Sequence, residues 1–431
     1  MTSGRAHVIG GGVAGIAAAF ACLDRGLQVT LWESRSHLGG RAFSFEDRLL
    51  GRSLDNGPHV MLGCYARMRA LLQRLGTEDR FERDATLRLA YRCRDGGAHT
   101  LRLSRWPTPL ALPVAILRFS GMPLRARWRA LRGMVSALRG TPDSWSLEDW
   151  IERRGQAGAP RDYLWDPLCL SIMNAAAADI SATLFLATLR RAFGGRASKA
   201  AIWIPRDPWS SMLGEPARAL LEHEGAELRL GHRVRGMTIE KGAVTALNGD
   251  DGLLSPVDPA DMVVSAMPWH ALAKALPGRA FAMGFEGRPI VNVHLEEIAG
   301  LPDEGALVAL VGGRPFQFLY RPPEGPRGRV TLIAGDARSL EGCGVDEVIR
   351  RGREQIAAYF PGSQPGSGGA ARVTKEPLAT LLTDPEGLSR RPCPGKVPGV
   401  SNLRICGDWT QTGLPSTLEG AAESASLALA D

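Results

Sequence analysis

The apolar positions of this chain gather into short dense runs separated by small residues, a pattern of buried parallel strands rather than of long amphipathic helices. His7 to Ile9 forms one such run, and it stops at Gly10-x-Gly12-x-x-Gly15. An Ala-rich stretch with helical spacing follows, then a second apolar run, Gln28 to Trp32, which ends at Glu33. Ala226 to Met267 reads AELRLGHRVRGMTIEKGAVTAL and then DMVVSAMP, which predicts short strands with a hairpin around Lys241-Gly242. Leu403 to Leu429 predicts a strand ending at Gly407-Asp408, a Gly413-Leu414-Pro415 turn and an Ala-rich helix beginning at Pro415-Ser416-Thr417. The run Leu110 to Leu117 is too short to span a bilayer, and Pro107, Pro109 and Pro113 are expected to break it. Pro361 to Ala371 and Gly387 to Gly399 read as loops. The alternation of strands and helices predicts an α/β chain. Its Rossmann-type part is expected to be discontinuous, over 1–70, 205–270 and 371–431. A second α+β part is expected over 71–204 and 271–370.

The first segment carries chemistry as well as fold. Strand, tight Gly turn, helix, strand and terminal acid together form a dinucleotide fingerprint. Gly10 permits the turn, Gly12 lets a pyrophosphate approach the backbone at the positive end of the helix, and Gly15 lets helix and strand pack closely. Glu33 stands where a carboxylate accepts hydrogen bonds from both ribose hydroxyls, and it would repel a 2′-phosphate, which argues against NADP. In the extension His37-Leu38-Gly39-Gly40-Arg41, two glycines offer further N–H groups to the phosphates. Arg41 adds a rigid fork of donors for phosphate or ribityl oxygens. This extension favours FAD over NAD.

Composition narrows the setting. The 431 residues are enough for two full cores. The seven cysteines are scattered without a CxxC pair, which suits a reducing compartment and excludes a disulfide framework or a zinc site. The first strand begins at once, so no signal peptide is expected, and no apolar run reaches the length of a spanning helix. The net charge of +7 comes almost wholly from Arg, only five residues being Lys, and no nucleic-acid partner is expected.

The GGR extension resembles the FAD-dependent amine oxidase and phytoene desaturase superfamily. Three further segments sharpen that resemblance: LDNGPHVMLGCY (Leu54 to Tyr65), YLWDPLCLSIMNAAAADISATLF (Tyr163 to Phe185) and GDWTQTGLPSTLEGA (Gly407 to Ala421). Together they resemble the hydroxysqualene dehydroxylase family, the squalene-associated FAD-dependent desaturases. The family often has Glu where this chain has Asp166, and Pro residues where it has Ala175 to Ala178. The resemblance implies an amine oxidase/GDI-like fold with tight, non-covalent FAD. It implies that Gly57, Pro58 and His59 approach the flavin ring, that Val234 holds the adenine through backbone atoms, and that Asp408 holds the ribityl and phosphate region. The helix after Gly413, Leu414 and Thr417 then points at the flavin pyrimidine.

The implied reaction is reductive loss of an allylic hydroxyl from hydroxysqualene, giving squalene and water. Hydroxide leaves poorly and needs a proton, and the allylic cation that remains needs a dry pocket and a hydride. The candidate acids are His59 and Asp166, with His59 expected to matter more. His59 is otherwise a packed neighbour of the cofactor, and Asp166 otherwise caps the helix after it. Asn174 is a candidate ligand for the substrate hydroxyl, or a structural turn. One fingerprint leaves no nicotinamide domain, so the electron donor is a separate, unidentified one.

Two other readings remain open: oxidative desaturation of a polyprenyl or carotenoid chain, and a non-enzymatic prenyl-lipid carrier of the same fold. The segment 102–139 carries eight Arg and no acidic residue, with Trp106, Trp128 and the run Leu110 to Leu117 interleaved. It is expected to touch a membrane surface, which places the protein in the cytoplasm, peripheral on the inner face of the cytoplasmic membrane.

Overall fold

A computed structural model describes residues 4–250, 252–278, 284–364 and 369–430. The apolar runs pair as a six-stranded sheet in the order Glu227–Leu230, Gln28–Glu33, Arg5–Ile9, Met262–Ser265, Val400–Ile405, Gly395–Val397. The first five are parallel and the last is antiparallel. The centre of this sheet is nearly all Ala, Val, Ile and Leu because both of its faces are covered. The helix Val13–Leu23 lies against one face, and the C-terminal helix Leu418–Ala428 packs on that helix. Strands from three distant parts of the sequence therefore meet with their carboxyl ends together, where an open α/β sheet places its ligands.

The hairpin at Lys241-Gly242 forms as expected. Both residues have positive φ, 47° and 79°, and they join Gly236–Glu240 to Ala243–Gly249.

A second sheet has seven strands in the order Ala371–Leu381, Gly287–Leu295, Val330–Gly335, Phe318–Tyr320, Leu307–Leu310, Arg88–Arg92, Ala98–Arg102. The helix Val345–Tyr359 buries Val348 and Ile356 in its core, and helices of 108–193 build a further apolar core. Here the structure corrects the sequence reading. Ala371–Leu381, expected with the nucleotide-binding part, is instead the edge strand of this sheet, paired antiparallel with Gly287–Leu295.

Other expectations are also revised. Part of Gly387–Gly399 is ordered: Pro385–Arg390 is a short helix capped by Asp384, and Gly395–Val397 is the antiparallel edge strand. The loop expected at 361–371 falls partly outside the described residues. Its last residue already belongs to a strand. Thr108–Arg118 is a helix despite its prolines. Pro109 sits in the first turn, where no N–H is needed, and Pro113 lies inside. Leu124–Ala137 packs beside it and buries Ala126, Ala130, Gly133 and Ala137.

Candidate active site

The glycines of the first turn are required by close approach. Gly10 has φ +103°, and a Cβ on Gly15 would lie 1.7 Å from the Gly10 carbonyl oxygen. Gly12 begins the helix with no side chain capping it, so the N–H groups of the first turn keep their capacity for an anion. The second glycine pair folds onto the first. The Gly39 N–H donates to the Gly11 carbonyl at 2.8 Å, and a Cβ on Gly40 would come within 2.9 Å of the Gly12 Cα. The result is a backbone cradle in which Gly10, Gly12, Gly39 and Gly40 line one cavity.

Glu33 is buried at the end of its strand. Its Oε2 accepts from the Gly11 N–H at 2.6 Å, and its Oε1 from the Arg35 N–H at 2.7 Å and the Ser34 hydroxyl at 3.0 Å. Three donors orient the carboxylate and leave it one further acceptor direction. Full contact with both ribose hydroxyls therefore requires the Ser34 hydroxyl to turn away. Val234 is buried, lines the same cavity and has no backbone partner among the described residues, which leaves its N–H and C=O for an adenine edge.

Arg41 points from the second glycine turn to the C-terminal motif. It donates to Asp408 Oδ1 at 2.6 Å and to the Ala379 carbonyl at 2.6 Å. Gly407 takes φ +136° and Gly413 φ +74°, and Leu414 is buried. Thr417 caps the last helix, its hydroxyl accepting from the Gly420 N–H at 3.1 Å. The sequence reading missed the residue that shapes this loop. Arg391 is buried and donates to the carbonyls of Asp408 at 3.0 Å, Trp409 at 3.1 Å and Leu414 at 2.8 Å, and also to that of Thr410. Burial pushes its guanidinium down to about 10, so it remains charged at neutral pH. Nothing in the Arg-rich segment around it distinguishes Arg391; only the folded loop does.

A cavity of about 810 Å³ joins these parts. Gly10, Glu33 and Val234 line it, as do Arg41 and Asp408 and the turn Gly57, Pro58 and His59. Leu170, Ile172, Leu307, Phe318 and Ile333 form an apolar wall of the same space. The cradle, the uncapped helix and the carboxylate fit FAD: Gly10, Gly12, Gly40 and Arg41 would hold its phosphates, Glu33 its ribose and Val234 its adenine.

The candidate catalytic residues separate in the structure. His59 lines the cavity, but its Nε2–H donates to the Arg41 carbonyl at 3.2 Å. Burial, opposed by that bond and reinforced by the Arg41 charge, pushes its imidazole down to about 4. The His59 Nε2–H is thus committed to the backbone. Asp166 does not line the cavity. It lies in the first turn of Asp166–Met173 without capping it and pairs with Arg161 at 3.2 Å; burial raises its carboxyl and Arg161 opposes the rise. Asn174 reaches the cavity wall in the left-handed conformation, φ 51°. Its amide donates to Thr380 Oγ1 at 3.0 Å and to the Arg288 carbonyl at 3.3 Å, and its Oδ1 accepts from the Asp336 N–H at 2.8 Å. Both donors are used, so Asn174 is a structural turn rather than a donor to substrate. Among the described residues, no group of three His, Cys, Asp or Glu is placed to hold a metal ion.

Comparison with known proteins places this geometry in context. The family described as flavin containing amine oxidoreductase matches residues 13–428. A hydroxysqualene dehydroxylase from Sinorhizobium fredii is 31% identical over 97% of this chain and 95% of its own. A 15-cis-phytoene desaturase from Synechococcus elongatus is 23% identical over 98% and 94%. A solved structure of a putrescine oxidase variant superposes with a TM-score of 0.74 at 16% identity, covering 100% of this chain and 98% of that one.

Proposed function

The chain belongs to the flavin-containing amine oxidoreductases, in their hydroxysqualene dehydroxylase branch, and we propose that it removes the allylic hydroxyl of hydroxysqualene reductively to give squalene. FAD is the cofactor; in its reduced form it supplies the hydride. The observation that carries the reading is that the glycine cradle and Glu33 line the same cavity as Leu170, Ile172, Leu307, Phe318 and Ile333. Such a wall suits a C30 hydrocarbon and keeps water from an allylic cation. The glycine cradle and Arg41 hold the phosphates, Arg391 fixes the loop beneath them, and His59 holds the Arg41 backbone.

The test is anaerobic, single-turnover reaction of photoreduced enzyme with hydroxysqualene, followed by lipid chromatography. Squalene is the expected product. Unchanged hydroxysqualene, or a chain with an added double bond, overturns the reading in favour of a carrier or a desaturase. Protein that purifies colourless and takes up no FAD also favours the carrier.

A peripheral membrane contact through 102–139 is part of the same proposal. No helix of the described residues is long and apolar enough to cross a membrane. Of the ten large apolar side chains exposed among the described residues, six lie here: Trp106, Leu110, Leu124, Trp128, Val135 and Leu138. Arg125, Arg129 and Arg132 are exposed among them with no ion pair. Large apolar and cationic groups on one helix pair suit an anionic headgroup layer, and a substrate dissolved in the bilayer would reach the enzyme without crossing water. This supports a location on the inner face of the cytoplasmic membrane.

A further inference from the structure

The reaction needs a proton at the leaving oxygen, and the groups expected to supply it are committed elsewhere: the His59 Nε2–H donates to the Arg41 carbonyl, Asp166 lies off the cavity, and the Asn174 donors are occupied. Three acidic residues line the cavity, Glu33, Glu376 and Asp408. Glu33 stands at the nucleotide end under three donors, and Asp408 is paired with Arg41. Glu376 forms no ion pair among the described residues.

Glu376 sits on the edge strand Ala371–Leu381, opposite Ile290, where the pairing with Gly287–Leu295 shifts register between Arg288 and Ile290. Glu376 lines the cavity together with Pro377, the next residue in sequence. Its Oε2 accepts from Asn56 Nδ2 at 3.4 Å. Asn56 immediately precedes Gly57-Pro58-His59, and its carbonyl is pinned by Thr374 Oγ1 at 2.9 Å and Asn292 Nδ2 at 3.2 Å. Asn292 is buried so closely beneath Gly57 that a Cβ there would come within 3.0 Å of its amide. The carboxyl is thus bonded to the residue that leads into the cavity-lining turn Gly57-Pro58-His59. It shares the cavity with the apolar wall of Ile290, Leu307, Phe318 and Ile333. The other charged or titratable groups lining the cavity nearby are Arg41 and Asp408, His59, and His270 and Lys274 on the helix Trp269–Ala275. His270 is pushed down by burial, Lys274 and Arg41, with Glu376 opposing, so it too is a poor proton source.

We propose that Glu376 is the acid that protonates the leaving hydroxyl, an inference that rests on the dehydroxylation proposed above. Its carboxyl proton passes to the allylic oxygen as the C–O bond breaks. The electron pair of that bond leaves on the oxygen, which departs as water. The carbon accepts the hydride from the reduced cofactor, and the Glu376 carboxylate regains its proton from solvent. One proton and one hydride are consumed per C–O bond replaced by C–H, and the cofactor is the species oxidised.

The test compares FAD-loaded, photoreduced wild type, Glu376→Gln and Glu376→Asp in single turnover with hydroxysqualene, following flavin reoxidation and lipid product across pH. Glu376→Gln is expected to keep its FAD and to slow reoxidation roughly 10²–10⁴-fold. Its pH profile should differ from that of wild type. Glu376→Asp should keep the wild-type profile at an intermediate rate. A Glu376→Gln rate within about threefold of wild type, or an unchanged pH profile, overturns the assignment and leaves the reaction class standing. Loss of FAD from both variants also overturns it, because Glu376 is then a cofactor-holding residue. Wild-type enzyme that leaves hydroxysqualene unconverted overturns the reaction class itself.

Discussion

Arg41 and Asp408 are 367 residues apart in sequence and 2.6 Å apart in space. The pair joins the N-terminal glycine cradle to the C-terminal loop, and the Asp408 side chain is buried while that of Arg41 is about one-third exposed. Each residue orients the other before any cofactor arrives, so their contributions to FAD binding should not add. Arg41→Met or Asp408→Asn alone should weaken FAD by about 2 kcal/mol, roughly 30-fold in Kd. The double variant should be little worse than either. Flavin fluorescence titration of apo protein measures all three constants; additive losses would show that the two groups act separately.

Arg391 should be as important to the cofactor although it does not line the cavity. It satisfies four carbonyls of the 408–414 loop. Arg391→Met leaves those carbonyls without a partner, at about 1–3 kcal/mol for each that stays buried. The expected outcome is protein that folds with a lowered Tm and purifies with little flavin. Arg391→Lys should recover only part of this, since an ammonium lacks the planar fork. Normal flavin content in Arg391→Met would mean that the loop holds its shape without it.

His294 should make stability depend on acid. It is buried between Thr331 Oγ1 at 3.0 Å and Thr374 Oγ1 at 3.4 Å, and burial pushes its imidazole down to about 3. Between the ordinary histidine value of about 6.5 and that lowered value, the unfolded chain binds a proton that the native chain does not. Stability from this site is complete above pH 6.5 and is lost as pH falls through that window, by at most about 1.4 kcal/mol per pH unit. Thermal melts of wild type and His294→Gln from pH 7.5 to 4.5 isolate the effect. The wild-type Tm should fall more steeply, and parallel curves would contradict the assignment.

The membrane contact is best tested away from Arg127. That residue donates to the Leu117 and Met122 carbonyls at 2.7 Å each and holds the two helices of 108–137 together, so a Glu there would damage the fold. Arg125/Arg129/Arg132→Glu leaves those bonds intact. Wild type should co-sediment with vesicles containing anionic lipid, less so as salt rises, and the triple variant should stay in solution at unchanged FAD content. Equal sedimentation of the two proteins would remove 102–139 as the binding surface.

Much of the nucleotide end was legible in the sequence because it is built by local backbone rules. Gly10, Gly12, Gly15 and Gly40 are dictated by turns and close approaches within a few tens of residues, and Glu33 by the strand that carries it. The hairpin at Lys241-Gly242 and the cap at Thr417 follow the same logic. What only the tertiary structure decided are positions whose meaning depends on distant partners. Glu376 sits in an unremarkable stretch of sequence, and only the fold sets it in the cavity lining, on an edge strand with a register shift and beside Asn56. Asn174 looked available for substrate until Thr380, Arg288 and Asp336 took its amide. Asp166 looked like a cap or an acid until Arg161 drew it away. His59 lines the cavity, but the bond from its Nε2–H to the Arg41 carbonyl is made only in the fold, which a sequence does not record. Local geometry is written in short-range steric constraints; charge state and side-chain availability are set by whatever the fold packs around them.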